Sequence, residues 1–548
     1  MKVLDRTYPL WSFRSPLALF GQLILVLLAA YLAADAIVSN NSVNLLLLGA
    51  LPLVLVLADS ILNNWRRGLY FFVFWLLFED FIRKYLGNNM AIYFVKDALV
   101  IILYLSFFRN QLAKKLDKFH LPFRVPLLLF LWLCLLQVFN PGSPSFLFGL
   151  LGLKINFLYV PLIYIGYTFA KSEEEVRRLL SFLSVLILIV AGLGLAQAII
   201  GPSFLNPQNL QEDIRQLSTL YRTTASGAMA YRPTSVFVSS GRLQDFLELS
   251  WILCLGHCAY LVLRGIRKRA LAFAALAVVG AASVMSASRG VFMWNSGSAL
   301  VMTAGLLWGS PWRQRETIKV LRTIQRAALL TGIGLFLLLT IFPEELGSRL
   351  AIYSETLLPD SPASELVHRT QTYPLQQLQF AFEHPRWPIG YGTGVCGLGL
   401  QYIVRLTGTR PPQVGVESGM GNLVVELGVL GLVLWIIMGL AIVLSAWKIV
   451  NGLRGSPWFP LAFSIFLYAT LLLFPMMFFG TSAYQDFILN AFLWLLLGVL
   501  YRLKSWPKAL QAATAQTAPA PSPLWSIPSP ASPAISAGAE FPASSRQP

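Results

Sequence analysis

Apolar segments of membrane-spanning length recur along the chain and alternate with shorter polar segments. Many approach the roughly 20 residues that a helix needs to cross the hydrocarbon core of a bilayer. Examples are residues 16–34, 179–200, 271–285, 327–342, 423–446 and 461–479. They are too continuous for barrel strands, in which apolar and polar residues alternate. Because a backbone in lipid must satisfy its own hydrogen bonds, the pattern predicts an all-α polytopic membrane protein with about 14 transmembrane helices.

The same pattern divides the chain into regions. Transmembrane helices are predicted in 1–342, with an outer loop at about 201–242, and again in 421–505. Between them, 343–420 is too long for an ordinary connection and is rich in aromatic residues, so we expect a folded extracytoplasmic helical cap, called the cap segment below. Residues 506–548 are rich in Ala, Pro and Ser and are predicted to be a disordered tail.

The cap segment contains one clear helix signal and one glycine-rich stretch. Pro374 precedes apolar residues at helical spacing, and His384-Pro385 would end that helix. The sequence GYGTG then places Gly390, Gly392 and Gly394 in alternation. Such glycines let a backbone approach a ligand closely, but a plain turn-rich loop is an equally good interpretation.

Composition and charge agree with a membrane location. Charged residues make up 12% of the chain, against about 25% in soluble domains, and hydrophobic residues make up 56%. The net charge of +17 arises from basic clusters in short loops at alternate helix ends. The positive-inside rule explains this distribution with both termini cytoplasmic, so we predict a lipid bilayer and no nucleic acid as a partner.

The four cysteines do not predict a disulfide framework or a metal centre. Cys254, His257 and Cys258 are close together but lack further ligands, so packing in a helix is the favoured interpretation.

Ionisable residues near the predicted outer helix ends are the first candidates for chemistry. Arg83 follows Glu79 and Asp80, and Lys96 and Asp97 come soon after. One interpretation is an ion-pair cluster that joins two helices. The other is an anion site facing the outer leaflet, with Arg83 as a substrate-binding residue.

Three further arginines map to the same outer side. Arg232 precedes a helix, Arg289 lies in a short turn, and Arg369 lies in the cap segment. Guanidinium groups bind phosphate through paired hydrogen bonds, so arginines that converge on one site would suit an anionic substrate.

The stretch ESGMGNLVVELG carries two acids at the start of an apolar run. Ser418, Asn422 and Glu426 recur every fourth residue and would form a polar stripe on one helix face. Nearby glycines permit close helix packing, so we expect the stripe to face protein or a water-filled cavity rather than lipid, and Glu426 to be structural. Glu417 lies at the helix entrance, where an acid also complements the helix dipole.

Four motifs together resemble the O-antigen ligase and O-antigen polymerase family of bacterial envelope glycosyltransferases. They are YRPTSVF around Arg232, SASRG around Arg289, HRTQTYPLQQLQFAFEHPRWPIGYGTG in the cap segment, and ESGMGNLVVELGVLG. The resemblance covers about residues 230–440. In the last motif the ligases carry histidine where this chain has Glu417, followed by the same spacing to Gly428 and Gly431. That replacement favours a polymerase over a ligase.

The resemblance implies an inverting, metal-independent and cofactor-free glycosyltransferase of the bacterial inner membrane, with its active site facing the periplasm or exterior. The donor would be a polyprenyl-pyrophosphate-linked oligosaccharide and the acceptor a glycan hydroxyl, in the assembly of O-antigen or exopolysaccharide, with other polysaccharide-assembly proteins as partners. Glu417 would be the catalytic base, with His384 and His368 as rivals. Arg232, Arg289 and Arg369 would hold the pyrophosphate, with Arg83 as a further pyrophosphate- or glycan-binding residue.

Two other functions fit parts of the pattern. A lipid-linked glycan flippase or another multi-helix transporter would also have many helices and intramembrane charge, but it does not need a large outer cap. A non-catalytic scaffold would leave the outer arginines unexplained.

Overall fold

The protein is described by a computed structural model that covers residues 56–506. Gaps fall at 87–89, 115–118, 208–219, 224–226, 228, 310–313, 359–365, 367, 413 and 481. The elements discussed below lie within one compact unit that ends at Lys504. The predicted span at 16–34 lies outside the described residues. The predicted tail also lies outside them, apart from Trp506, its first residue.

Helices dominate the described part of the chain. In order they are α1 (Trp65–Tyr85), α2 (Met90–Lys114), α3 (Arg124–Gln137), α4 (Phe146–Phe157), α5 (Leu162–Phe169), α6 (Glu173–Ile200), α7 (Ser240–Leu263), α8 (Ala270–Met285), α9 (Arg289–Gly309), α10 (Gln314–Ile341), α11 (Pro343–Leu357), α12 (Tyr373–Glu383), α13 (Leu400–Thr407), α14 (Gly419–Gly452), α15 (Phe459–Leu473), α16 (Pro475–Phe479) and α17 (Phe487–Leu503). Between α6 and α7, β1 (Tyr221–Thr223) pairs antiparallel with β2 (Met229–Tyr231).

Six helical segments in the described part are long and apolar enough to cross a bilayer. They are Phe146–Phe169, Glu173–Ile200, Ser240–Leu263, Arg289–Gly309, Gly419–Gly452 and Phe459–Phe479. This confirms a helical, multi-pass membrane protein. The finer prediction of about 14 spans stays a prediction. Several apolar helices are shorter than a straight span, such as α8 with 16 residues and α17 with 17.

Polar residues cap the helices whose starts carry the candidate chemistry. The side chain of Ser239 accepts a hydrogen bond from the Arg242 amide before α7, and Ser418 accepts one from Gly421 before α14. Asp486 accepts from Ile488 before α17. These caps satisfy amides that lack a partner within the helix, and they set where each helix begins. Arg242 therefore lies inside the first turn of α7.

The interior is packed around α7, α15 and α17. The largest fully buried side chains include Trp435, Trp494, Tyr260 and Tyr468. Large apolar side chains such as Leu136 and Leu300 are exposed on the outside, as expected for a surface that faces lipid rather than water.

The predicted cap segment contains ordered helices. The helix predicted from Pro374 is confirmed as α12, with Pro374 in its first turn and His384 directly after its end. A π-helix (His368–Thr372) directly precedes α12 in the sequence. Along the chain, α11 comes before this pair and α13 comes after it. Ala381 of α12 packs with Val424 and Val425 of α14, so the segment is joined to a membrane helix by a small apolar core. Its extracytoplasmic location stays a prediction.

Candidate functional site

Glu417 lies exposed immediately before α14, beside the aromatic residues of the cap segment. The Tyr373 hydroxyl donates a hydrogen bond to the Glu417 carboxylate, and the Glu417 amide donates to Gln377 Oε1 at 2.6 Å. The His368 ring lies 5.6 Å from the Tyr373 ring, centroid to centroid. The structure therefore groups Glu417, Tyr373 and His368.

The other predicted rival base, His384, contacts a different tyrosine. Its Nδ1 lies 3.5 Å from the Tyr391 hydroxyl, and it lines a shallow cleft with Phe380 and Val416. Both histidines therefore lie near neighbours of Glu417: His368 packs against Tyr373, and His384 lines a cleft with Val416, the residue before Glu417.

The polar stripe on α14 faces protein, as the sequence predicts. Ser418 Oγ donates to the Phe478 carbonyl at 3.2 Å, and Asn422 Nδ2 donates to Ser482 Oγ at 3.1 Å. Glu426 is 2% exposed, and its carboxylate accepts a hydrogen bond from the Cys396 amide at 2.9 Å. These contacts assign Glu426 a structural role between α14 and the cap segment.

The α14 helix is broken at Gly428, where φ is 72° and ψ is −175°. The loop of residues 387–394, called the GYGTG loop after its last five residues, fills this break. The Gly392 amide donates to the Glu426 carbonyl at 2.9 Å, and the Val429 amide donates to the Trp387 carbonyl at 3.1 Å. A Cβ atom on Gly390 would collide with the Glu426 carbonyl. The alternating glycines therefore serve close packing of backbone against backbone, which is the structural interpretation of the loop.

Arg232 and Arg289 lie near each other between β2 and the start of α9. Burial, and next the neighbouring Arg289, lower the pKa of Arg232. Arg232 Nε is buried and has no hydrogen-bond partner among the described residues. A buried donor without a partner beside a second cation is costly unless an anion fills the space. These two of the predicted arginines are therefore neighbours, and their convergence on one anion site stays a prediction.

The third predicted phosphate ligand, Arg369, lies in the π-helix just before α12. Only its backbone belongs to the described part of the chain.

Arg349 was not predicted from the sequence, and it contacts the residue directly before Arg232. It is fully buried, and its guanidinium donates to the carbonyls of Met285, Ala198 and Tyr231 at 2.8, 3.0 and 3.3 Å. Met285 and Ala198 belong to the last turns of α8 and α6, where carbonyls lack helical partners. Arg349 therefore caps two helices and fixes the residue directly before Arg232. An arginine on an amphipathic helix usually points to solvent, so no local signal marked it.

The start of α9 is linked to the Glu417 end of α14. The Trp294 ring lies 6.0 Å from the Phe479 ring, and the next residue, Gly480, accepts a hydrogen bond from the Gly419 amide at 2.9 Å. Arg289, the first residue of α9, and Glu417 therefore lie at the same end of their helices.

An apolar cavity of about 390 Å³ runs beside α9 and is bordered by α7, α8 and α10. The α9 residues Phe292, Ser296, Ala299 and Thr303 line it at helical spacing. Phe292 is less than one turn after Arg289. Arg289 therefore lies within one helical turn of a residue that lines the apolar cavity.

Arg83 belongs to a network of ion pairs. Its Nη2 lies 3.0 Å from Asp80 Oδ1, Lys96 Nζ lies 2.9 Å from Glu79 Oε1, and Arg242 also pairs with Asp80. The network joins α1, α2 and α7, which agrees with the first of the two interpretations of this cluster. Arg83 also lines a second, polar cavity of about 370 Å³.

Lys84, the neighbour of Arg83, connects α1 to the segment that follows Arg232. Its Nζ donates to Thr234 Oγ1 at 2.8 Å and to the Ser235 carbonyl at 2.7 Å. The segment that begins at Arg232 and ends at Arg242 therefore connects the arginine pair to the polar cavity.

Within the described ranges, no three His, Cys, Asp or Glu residues are grouped as metal ligands would be. His257 Nδ1 contacts Ser184 Oγ at 3.1 Å in the interior, in agreement with the packing interpretation of that cluster. Neither a protein-family model nor a curated protein matches the chain.

Proposed function

We propose that the protein is an inverting, metal-independent glycosyltransferase of the bacterial inner membrane. It transfers a glycan from a polyprenyl pyrophosphate to a sugar hydroxyl on the outer side, in the assembly of a surface polysaccharide. The observation that supports this most is that Arg289, the neighbour of Arg232, lies within one helical turn of Phe292, which lines an apolar cavity. A lipid with a pyrophosphate head needs both features, cations for the head and an apolar surface for the tail.

The chemistry requires two groups from the protein. The acceptor oxygen attacks the anomeric carbon while the bond to the pyrophosphate breaks, so negative charge grows on the leaving group. Arg232 and Arg289 stabilise that charge, together with the positive end of the α9 dipole. Arg369 is assigned to the same group by its sequence position.

The proton of the attacking hydroxyl goes to Glu417. This carboxylate is exposed at the start of α14 and is oriented by the Tyr373 hydroxyl and by the backbone bond to Gln377. A general base must reach its proton within hydrogen-bond distance, and an exposed position allows an acceptor to approach. His368 is the alternative base because it packs against Tyr373.

The test is transfer by the purified protein in nanodiscs, using a synthetic polyprenyl-pyrophosphate oligosaccharide and following release of polyprenyl pyrophosphate. Arg289→Gln and Arg232→Gln should each lower kcat by roughly 100-fold, the usual cost of removing one charge-stabilising donor. Glu417→Gln should lower kcat comparably, because the amide cannot accept the proton of the attacking hydroxyl. Arg178→Gln is the matched control. Arg178 forms an exposed pair with Glu174 near the start of α6, whereas the last turn of α6 contacts Arg349 beside the arginine pair.

Full activity in Glu417→Gln at equal expression would exclude this carboxylate as the base, and full activity in both arginine variants would exclude the pyrophosphate site. If transfer occurs, the glycan of a deletion strain separates the two products: single repeat units indicate a polymerase, and long polymer left on its carrier lipid indicates a ligase.

A transporter or flippase is the second candidate, because broken membrane helices with buried acids are typical of transporters. Here the break in α14 is filled by the GYGTG loop, and the nearby Glu426 is already bound to a backbone amide. That arrangement favours a static joint over a substrate site. Movement of the lipid-linked glycan across the bilayer without bond cleavage would support the transporter instead.

A further inference from the structure

The polar cavity has an open rim and a charged floor. Ser239, Gly241 and Gln401 are exposed and form part of its rim. Deeper in, its wall is made by side chains from α1, α2, α4, α7 and the turn before α17. At about 370 Å³ it falls within the range of small-molecule sites.

Three cations converge on one aromatic ring in this wall. The charged groups of Arg83, Lys96 and Lys154 lie 5.4, 3.4 and 4.4 Å from the centroid of the Tyr93 ring. Arg83 is only 2% exposed. Its Nη1 lies 4.0 Å from Glu79 Oε1, at the limit of an ion pair, and neither Nη1 nor Nε has a hydrogen-bond partner among the described residues. Buried donors without a hydrogen bond at the wall of a cavity are costly unless a ligand accepts from them.

The acceptor side of the cavity is formed by two carboxylates. Asp486 is engaged, because it caps α17 and lies 3.5 Å from Arg242 Nε. Asp245, one turn after Arg242, lines the cavity and forms no hydrogen bond or close ion pair within the described ranges. It therefore remains available to accept from a hydroxyl group.

The charge balance decides which ligand fits. Four cations line the cavity, namely Arg83, Lys96, Lys154 and Arg242. Each of them already pairs with a carboxylate: Arg83 with Asp80, Lys96 with Glu79, Lys154 with Asp97, and Arg242 with Asp80 and Asp486. Cations that are already paired attract an anion less strongly than the neighbouring Arg232 and Arg289 would. What the cavity offers is unsatisfied donors and an unsatisfied acceptor, beside the rings of Tyr93 and Phe487 and the amide groups of Gln401 and Gln485.

We propose that this cavity binds a neutral sugar of the acceptor glycan, with its oxygens on Arg83 and one of its hydroxyls donating to Asp245. The assignment rests on the proposed function, because it gives the acceptor a place separate from the pyrophosphate site. The segment from Arg232 to Arg242 links both sites and thereby holds donor and acceptor in a common frame.

The test is saturation-transfer NMR on the full protein in nanodiscs, with methyl glycosides of glucose, galactose and N-acetylglucosamine as probes and glucuronic acid and glucose 1-phosphate as anionic probes. We expect at least one neutral glycoside to bind and Asp245→Asn to weaken its Kd by about tenfold or more, since hydrogen bonds to charged groups are the strong ones. Gln401→Ala, at the exposed rim, should weaken it less, and Arg178→Gln should leave it unchanged.

Because Asp245→Asn can also fail to fold, the melting temperature of each variant is measured. Gln401→Ala alters the exposed rim of the cavity and therefore tests the sugar site independently of Asp245. The proposal is overturned if only the anionic probes bind, if no probe binds, or if neither cavity variant changes the Kd of the neutral glycoside. Binding needs no turnover, so it separates this inference from the proposed function. If a sugar binds but no transfer occurs, the sugar site in the cavity is supported and the proposed function is not. If transfer occurs and both cavity variants leave the acceptor KM unchanged, the sugar site is excluded.

Discussion

The break in α14 makes a sharp prediction about one glycine. Gly428 combines a φ of 72° with a ψ of −175°, a conformation open essentially only to glycine. A Cβ atom there would also collide with the carbonyl group of Pro388. Gly428→Ala should therefore strain the backbone and push the GYGTG loop away from α14.

The magnitude follows from what the displacement removes. Backbone strain of this kind costs roughly 1–3 kcal/mol. The loop also loses hydrogen bonds between the Tyr391 amide and the Val425 carbonyl, and between the Val429 amide and the Trp387 carbonyl, each worth about 1 kcal/mol. The Glu426 carboxylate would lose its bond from Cys396 as well. We expect the free energy of unfolding to fall by roughly 4 kcal/mol or more.

The assay is thermal unfolding in nanodiscs, compared with Gly297→Ala as a matched control. Gly297 lies within α9, and a Cβ atom there would meet open space. Alanine is the better helix former by about 1 kcal/mol, so the control should melt at or slightly above the temperature of the unchanged protein. Equal melting temperatures for the two variants would refute the conclusion that the loop is held against α14 by this glycine.

Two further predictions test other parts of the structure. Arg349→Met should lower the free energy of unfolding by roughly 2–5 kcal/mol, because the carbonyls of Ala198 and Met285 each lose a buried hydrogen-bond donor. Stability within about 1 kcal/mol of the unchanged protein, measured by denaturant titration, would contradict this role. Burial, and next the nearby Glu426, raise the pKa of the Cys396 thiol well above its usual range. A protein whose only cysteine is Cys396 should therefore react slowly with maleimide at neutral pH and faster as the pH rises, whereas rapid labelling at neutral pH would show that the loop is open.

The sequence alone determined the features that depend on local pattern. Apolar runs predicted membrane helices because hydrocarbon contact and backbone hydrogen bonding impose length and composition on each span. Pro374 and His384-Pro385 predicted the ends of α12, since proline restricts the backbone within a few residues of itself. Spacing of four residues predicted that Ser418, Asn422 and Glu426 share one helix face, which the structure buries against protein.

Tertiary structure decided everything that depends on residues distant in the sequence. The break at Gly428 was invisible to hydropathy, because apolar residues continue on both sides of it. The polar cavity and the proximity of Arg232 to Arg289 arise from helices that meet only after packing. Hydrophobic burial is non-directional, so it drives those helices together without specifying which polar side chains will meet; contacts such as the hydrogen bonds of Arg349 specify that arrangement.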